Sequence, residues 1–175
     1  MESIDIFSRD GALIRGPVPK HAPKRPGEYS RHVLIILKTE DSPAPGAGEG
    51  LYVVQQRSLQ AKHYPGKWDM TGGGVRSGEP PEAAALRELE EELSVTVPRE
   101  ALKPGFSYIL DREDGTGLLL TVFMCRVPVP DGGFRFDPSE VNDVRIMPFR
   151  EFLEHVRDHN DEAFCRGLEG IEDAL

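Results

Sequence analysis

Residues 73–95 constrain the fold of this 175-residue chain more than any other segment. The segment begins inside a Thr-Gly-Gly-Gly run (residues 71–74), where glycine lets the backbone turn sharply or approach another group closely. Pro80 and Pro81 suit the first turn of a helix, because their missing amide donors are not needed there. The residues that follow, through Leu93, are strong helix formers. The pattern predicts a helix entered through a glycine turn.

This helix brings several charged side chains together. Residues three and four apart are neighbours on a helix, so Glu88 lies beside Glu91 and Glu92, and Arg87 lies beside Glu91. Like charges at this spacing destabilise an isolated helix, which makes a compensating cation a reasonable inference. Carboxylate oxygens favour Mg²⁺ or Mn²⁺, and Arg87 would orient a carboxylate. The alternative is a glutamate-rich, solvated helix face without a ligand.

The spacing around the helix resembles the Nudix box, GxxxxxE followed by xxxxxxxREUxEExGU, in which U is bulky and apolar. The matching positions are Gly73, Glu79, Arg87, Glu88, Leu89, Glu91, Glu92 and Val95. Ser94 departs from the pattern, since it stands where the family has its last glycine. Glycine readily takes the left-handed conformation at a helix end, and serine takes it at a modest cost.

The resemblance implies an α/β fold of the α+β type, with a mixed β-sheet sandwiched between α-helices. It implies metal coordination by Glu88, Glu91 and Glu92, with help from the backbone near Gly73 and from Glu79. The implied cofactor is Mg²⁺ (or Mn²⁺).

Many family members use a further acidic residue from a later loop as metal ligand or general base. Glu140 is the candidate here, and Glu113 is the alternative. A solvated loop carboxylate is the competing interpretation for either residue alone.

Three further stretches look like the Nudix branch related to isopentenyl diphosphate isomerase. They are IDIFSRDGALI, RPGEYSRHV and QQRSLQAKHYPGKWDMTGGGVRSGE. Those isomerases carry a catalytic cysteine just after the tryptophan-containing strand, whereas Trp68 is followed here by Asp69, Met70, Thr71 and Gly72. Isomerisation is therefore the weaker alternative, and a noncatalytic Nudix-like binding or regulatory module is another.

The remaining pattern predicts one domain over residues 1–175, with an N-terminal hairpin and connector at 1–30. In the connector, prolines at positions 17, 19, 23 and 26 are expected to prevent a continuous strand or helix. The Ser, Pro, Ala, Gly and acidic residues of positions 39–50 predict a loop. Strands are predicted at 32–38, 51–57, 67–70, 106–110, 118–127 and 143–147, and closing helices at 149–155 and 162–168.

Composition excludes several other functions. A net charge of -9 argues against long nucleic acid as a partner, because polyanion binding depends on Lys and Arg. Two cysteines give no disulfide framework or four-ligand zinc site, and no apolar run is long enough to span a membrane. These features favour a cytoplasmic protein without membrane partners. A homodimer is possible by analogy with the family.

The sequence therefore predicts a metal-dependent hydrolase. It would cleave a phosphoanhydride bond in a nucleoside-diphosphate-linked or related small molecule by attack of water on phosphorus. Arg57 and Lys67 are candidate phosphate contacts, with structural ion pairs as the alternative. Trp68 is a candidate for stacking on a base, although core packing is the more common role for an aromatic residue at a strand edge.

Overall fold

The computed structural model describes residues 2–42 and 50–171, so part of the predicted loop at 39–50 lies outside the described residues. The described strands are β1 (Ser3–Phe7), β2 (Leu13–Pro19), β3 (Tyr29–Thr39), β4 (Leu51–Arg57), β5 (Trp68–Asp69), β6 (Thr71–Gly74), β7 (Lys103–Asp111), β8 (Gly117–Val127) and β9 (Val141–Pro148). The helices are α1 (Pro81–Leu93), α2 (Phe149–Arg157) and α3 (Glu162–Glu169), and a short 3-10 turn spans Arg99–Ala101.

The long strand β3 organises the sheet. One of its edges pairs in parallel with β8 along all eleven residues. Its other edge pairs with three antiparallel strands in succession, namely β1, β6 and β4. Beyond β4 lie β5 and β9, while β2 pairs with β1 and β7 pairs with β8. The sheet is therefore mixed.

Both faces of the sheet are covered by helices, which explains why β3 is apolar on both sides. Val33, Ile35 and Leu37 face one way and pack with the apolar residues of α1. Ile36 faces the other way and packs with the apolar residues of α2 and α3, including Phe152. This arrangement confirms the predicted mixed sheet between helices.

The glycine run 71–74 is a strand, which differs from the turn expected at this position. A side chain on Gly72 would place its Cβ 2.2 Å from the carbonyl oxygen of Val33 on the neighbouring strand. Close approach to β3 is therefore the reason for glycine, and the expectation of a sharp turn is wrong.

The prolines of the connector were expected to interrupt regular structure, but β2 continues through Pro17 to Pro19. The strand pairs on one side only, with β1. Proline is tolerated in such an edge strand, since its missing amide donor can face away from the partner. Within the described residues, no helix combines the length and apolar character that crossing a membrane requires.

Candidate active site

Helix α1 is bounded by two local signals that place its charged face beside β6. Pro80 and Pro81 begin the helix after the loop that leaves β6 at Gly74. Ser94 ends it in the left-handed conformation, with φ 53° and ψ 33°, and its amide donates to the carbonyl of Glu90. The conformation expected at this position is therefore present, with serine in place of glycine.

Arg87 joins four groups around the start of α1. Its Nε and Nη2 donate to the two oxygens of Glu79 at 2.9 and 3.0 Å. Its Nη1 donates to Glu88 at 2.6 Å and to Glu91 at 2.9 Å, and its Nη2 also donates to the carbonyl of Gly74 at 2.9 Å. The guanidinium therefore fixes two helix carboxylates relative to the loop between β6 and α1 (residues 75–80), which we call the box loop.

Glu88 lies directly against the glycine strand. A Cβ on Gly73 would stand 2.3 Å from Oε1 of Glu88, so the carboxylate occupies the space that any side chain there would fill. The residue is buried. Burial raises the pKa of Glu88 above its ordinary value, although the hydrogen bond from Arg87 acts in the opposite direction.

Glu92 is also buried, one turn further along α1. Its Oε2 accepts hydrogen bonds from Nε2 of Gln55 at 2.9 Å and from the amide of Gly72 at 3.1 Å. Burial raises the pKa of Glu92 to about 8, and the negative charge of Glu88 adds to the effect. Burial therefore disfavours the ionised form of this carboxylate.

Sequence reasoning missed Gln55. Its amide contacts Glu92, and its carbonyl oxygen accepts from the hydroxyl of Thr71 at 3.2 Å. Gln55 directly follows the apolar run 51–54 of β4 and continues its buried stretch, which is the signal that could have identified it, because a buried amide requires partners.

These residues fit a divalent cation in their chemistry. Glu88, Glu91 and Glu92 supply hard oxygen donors, and two of the three are buried. Within residues 2–42 and 50–171, no three acidic, histidine or cysteine side chains already converge on one point as a metal cluster. Glu88 and Glu91 are instead held by Arg87, so cation binding requires these hydrogen bonds to rearrange.

The three predicted substrate contacts lie on or beside β4 and β5, and each has a structural partner. Nε of Arg57 donates to the carbonyl of His63 at 3.0 Å, and Lys67 forms an ion pair with Asp158. Trp68 is half-buried against the core layer of α2 and α3, and the guanidinium of Arg145 lies 4.7 Å from its ring centroid.

The two acidic residues predicted in later loops, Glu140 and Glu113, have no contact with the charged face of α1 among the described residues. Glu140 is exposed just before β9, and its backbone carbonyl accepts from the amide of Ser58. Glu113 is exposed in the turn between β7 and β8. In the part of the chain that the structure describes, no hydrogen bond or ion pair connects either carboxylate with α1.

A group of basic side chains lies within electrostatic reach of Glu88, Glu92 or the histidines His32 and His63, and sequence reasoning identified only Arg57 among them. We call the group the basic rim, and its members are Lys20, Lys24, Arg57, Lys62 and Arg112. Partial burial lowers the pKa of His32 to about 4, and four rim charges lower it further. Burial also lowers the pKa of His63, again with four rim charges contributing.

The rim reaches the carboxylates as well. The charge of Lys20 acts on Glu88, and the charge of Arg57 acts on Glu92. The rim residues come from the connector, the end of β4, the loop after β4 and the turn after β7. Because these segments are far apart in the chain, no local sequence pattern predicts that the rim residues act on the same site.

Comparison of the chain with known proteins identifies relatives that share its sequence pattern. The NUDIX domain family model matches residues 29–166. An uncharacterized Nudix hydrolase of Pseudomonas aeruginosa is 33% identical over 143 residues, which cover 81% of this chain and 76% of that protein. Nudix hydrolase 3 of Arabidopsis thaliana is 27% identical over 161 residues, or 86% of this chain, but the chain spans only 20% of that protein's length.

Two further similarities concern the branch and the fold. An isopentenyl-diphosphate Delta-isomerase of Streptomyces avermitilis is 27% identical over 175 residues, covering 98% of this chain and 84% of the isomerase. The crystal structure of DR0079 from Deinococcus radiodurans superposes with a TM-score of 0.66, at 20% identity and with 91% of each chain covered. The latter likeness concerns the fold alone.

Proposed function

The chain belongs to the Nudix family, and from this premise we propose that it hydrolyses a phosphoanhydride bond in a nucleoside-diphosphate-linked small molecule with the aid of Mg²⁺ or Mn²⁺. Family membership makes it a Nudix-type pyrophosphohydrolase in general terms. The substrate class, the metal and the role of each residue are parts of the proposal.

The observation that carries the proposal is the burial of Glu88 and Glu92 on one face of α1. A solvated helix face would leave its glutamates in water, where they carry no desolvation cost. Here the fold encloses two carboxylates and packs Gly73 of the glycine-rich strand β6 against one of them. Glu88 is paired with Arg87, but among the described residues Glu92 accepts only from the neutral amides of Gln55 and Gly72, so its ionised form costs stability unless a cation binds; this favours a working metal site over a noncatalytic module.

In the proposed mechanism, Glu88, Glu91 and Glu92 hold the cation. The bound metal supplies charge neutralisation of the diphosphate and a lowered pKa for the attacking water. Gln55 and the amide of Gly72 orient the carboxylate of Glu92 through its Oε2. Arg87 orients Glu88 and Glu91.

The structure supports a positioning role for Glu79 rather than a role as free base. Both of its oxygens accept from Arg87, and Oε2 also accepts from the amide of Arg76 at 2.8 Å. Glu140 as the residue that positions the water stays a prediction, since its carboxylate is exposed and without a contact to α1 among the described residues.

The basic rim supports a substrate with several negative charges. The chain is acidic as a whole, with a net charge of -9, yet five basic residues lie within electrostatic reach of the acidic site or of the neighbouring His32 and His63. Positive charge around a cleft attracts anionic ligands and raises their local concentration. We infer that the rim contacts the phosphates while the cation binds at the carboxylates.

Isomerisation is not favoured as a second function. Cys125 is buried in the apolar layer beneath α1, and Cys165 is buried in the opposite layer. Burial raises the pKa of both thiols, so neither is poised as an exposed acid or nucleophile.

The test is phosphate-product release from a panel of nucleoside triphosphates, dinucleotides, nucleotide sugars and isoprenoid diphosphates, with Mg²⁺ or Mn²⁺. Glu92→Gln should lower turnover by about 100-fold or more, because it removes a charged ligand at the reacting centre. The matched control is Glu90→Gln, on the exposed side of the same helix. Equal turnover in Glu92→Gln and in the unaltered chain would contradict the assignment.

A further inference from the structure

The N-terminal strand β1 forms hydrogen bonds with the loop that leads into α1. Both carboxylate oxygens of Asp5 accept from this loop: Oδ1 from the hydroxyl of Ser77 at 2.6 Å, and Oδ2 from the amide of Gly78 at 3.1 Å. The amide of Ser77 also donates to the carbonyl of Ser3 at 2.8 Å. Residues 72 to 74 positions apart in sequence are therefore joined by three hydrogen bonds at the entrance to the helix.

Strand β2 leaves room for this contact. A Cβ on Gly16 would lie 2.0 Å from Oδ1 of Asp5, so the Asp5 carboxylate lies over a position that has no side chain. Gly16 has a negative φ or extended backbone rather than a left-handed one, since it is not among the positive-φ residues. Space for the Asp5 carboxylate is thus the structural reason for glycine at this position of the hairpin.

A second contact runs from Glu2, the residue before β1, to the charged face of α1. Oε1 of Glu2 accepts from Nε and Nη2 of Arg76 at 2.9 and 2.6 Å, and Oε2 accepts from Lys20 at 2.6 Å. The same Nη2 of Arg76 donates to Oε1 of Glu91 at 3.1 Å, while the other oxygen of Glu91 accepts from Arg87. Glu2 therefore shares Arg76 with a proposed metal ligand.

We propose that Asp5 and Glu2 are positioning residues through which the N-terminal hairpin sets the affinity of the box for its cation. The inference rests on the proposed function of Glu91 as a metal ligand. Asp5 fixes the loop that carries Glu79, and Glu79 in turn holds Arg87. Arg76 donates two hydrogen bonds to one oxygen of Glu2, and its single hydrogen bond to Glu91 is longer than either of them.

The physical argument concerns competition for Glu91. Oε1 of Glu2 accepts charge-assisted hydrogen bonds from both Nε and Nη2 of Arg76, and both are shorter than the hydrogen bond from Nη2 to Glu91, so Glu2 holds the guanidinium more firmly. When Glu2 loses its charge, Arg76 is expected to turn to Glu91 and to compete with the cation for the same oxygens. Removal of the positive charge of Arg76 in the same chain should then restore cation binding.

The experiment is calorimetric titration of the metal-free full chain with Mn²⁺, so that the readout does not depend on turnover. We expect Glu2→Gln and Asp5→Asn each to weaken Mn²⁺ binding by about tenfold, the size typical of losing a partner that orients a metal ligand. The double variant Glu2→Gln/Arg76→Gln should recover most of the loss caused by Glu2→Gln, which a purely structural defect would not do.

Asp111→Asn is the matched control. Asp111 also holds the hairpin to the body of the protein, through Arg9 at 2.9 Å and through the hydroxyl of Tyr29, but it has no contact with the box loop among the described residues. This variant should bind Mn²⁺ like the unaltered chain. If Asp5→Asn fails to fold, Glu2→Gln carries the test, because the Glu2 side chain is 36% exposed and tolerates substitution more easily.

Two results would overturn the inference: unchanged Mn²⁺ affinity in folded Glu2→Gln, or no recovery in the double variant. The proposed function fails separately, if the unaltered chain binds Mn²⁺ and yet cleaves none of the diphosphates. Weak binding in Asp111→Asn equal to that in Asp5→Asn would also count against the inference, since it would indicate a general loss of hairpin structure.

Discussion

Gly72, Gly73 and Gly74 follow one another in β6, yet an added methyl group would meet a different neighbour at each. At Gly73 the new Cβ would lie 2.3 Å from the Glu88 carboxylate, while at Gly74 the nearest atoms, those of His32, are 3.9 Å away. At Gly72 it would meet the backbone of β3 at 2.2 Å. Sequence alone shows three equivalent residues, and only the packing distinguishes them.

Gly73→Ala is predicted to displace Glu88 and to lower turnover by about tenfold or more while the chain still folds, because a side-chain carboxylate can move and backbone cannot. Gly74→Ala is the control and should retain activity. Turnover and circular dichroism of both variants check this prediction. Equal turnover in the two variants would show that the position of Glu88 is not fixed by β6.

The raised pKa of Glu92 predicts how the stability of the metal-free protein depends on pH. Its folded-state pKa is raised to about 8, so between its ordinary value and about 8 the folded state holds a proton that the unfolded state has released. The contribution of Glu92 to stability is therefore fully present at acidic pH and is lost as pH rises towards 8. The slope from this single group is at most about 1.4 kcal/mol per pH unit.

Urea unfolding with a chelator at pH 6, 7 and 8 measures this effect. Glu92→Gln should show a smaller loss of stability over this range than the unaltered chain, because glutamine does not ionise. Parallel curves for the two proteins would mean that another group accounts for the pH dependence.

At the scale of the element, α1 shows how a local departure from a pattern is absorbed. Ser94 takes the left-handed conformation that the pattern requires, and its side chain is exposed. The helix therefore ends at the predicted place, and the carboxylates keep their spacing. The cost is confined to the backbone strain of one non-glycine residue.

Ser94→Gly is predicted to stabilise the protein by about 0.5–1 kcal/mol, since glycine has no steric penalty at positive φ. Ser94→Ala should not show this gain. The free energy of unfolding from urea titration distinguishes the two. No gain from Ser94→Gly would mean that loss of backbone freedom offsets the relief of strain.

At the scale of the whole molecule, the net charge is negative, but positive charge is concentrated in the basic rim. The chain carries -9, but the basic rim brings positive charge from four separate segments within electrostatic reach of Glu88, Glu92, His32 and His63. Anionic substrate is therefore expected to be attracted despite the overall charge, and the attraction should weaken as salt screens it.

Arg112→Gln is predicted to raise KM for the diphosphate substrate by about fivefold at low salt with little change in kcat, because in our proposal Arg112 attracts the phosphates without taking part in the reaction. The difference should shrink at high salt. Arg166→Gln is the control, since Arg166 lies on α3 and pairs with Glu162. Steady-state kinetics at two NaCl concentrations test this prediction. An unchanged KM in Arg112→Gln would show that Arg112 does not contribute to substrate binding.

The sequence by itself determined the helix α1, its boundaries and the spacing of its glutamates, because these depend on propensity, proline and helical periodicity. It also determined most strands, since alternation and turn residues are local signals. Tertiary structure alone decided that Glu92 meets Gln55, that Gly73 yields space to Glu88, and that Asp5 holds the box loop. These contacts join distant segments, and their energies depend on burial and close approach, which no local pattern of residues encodes.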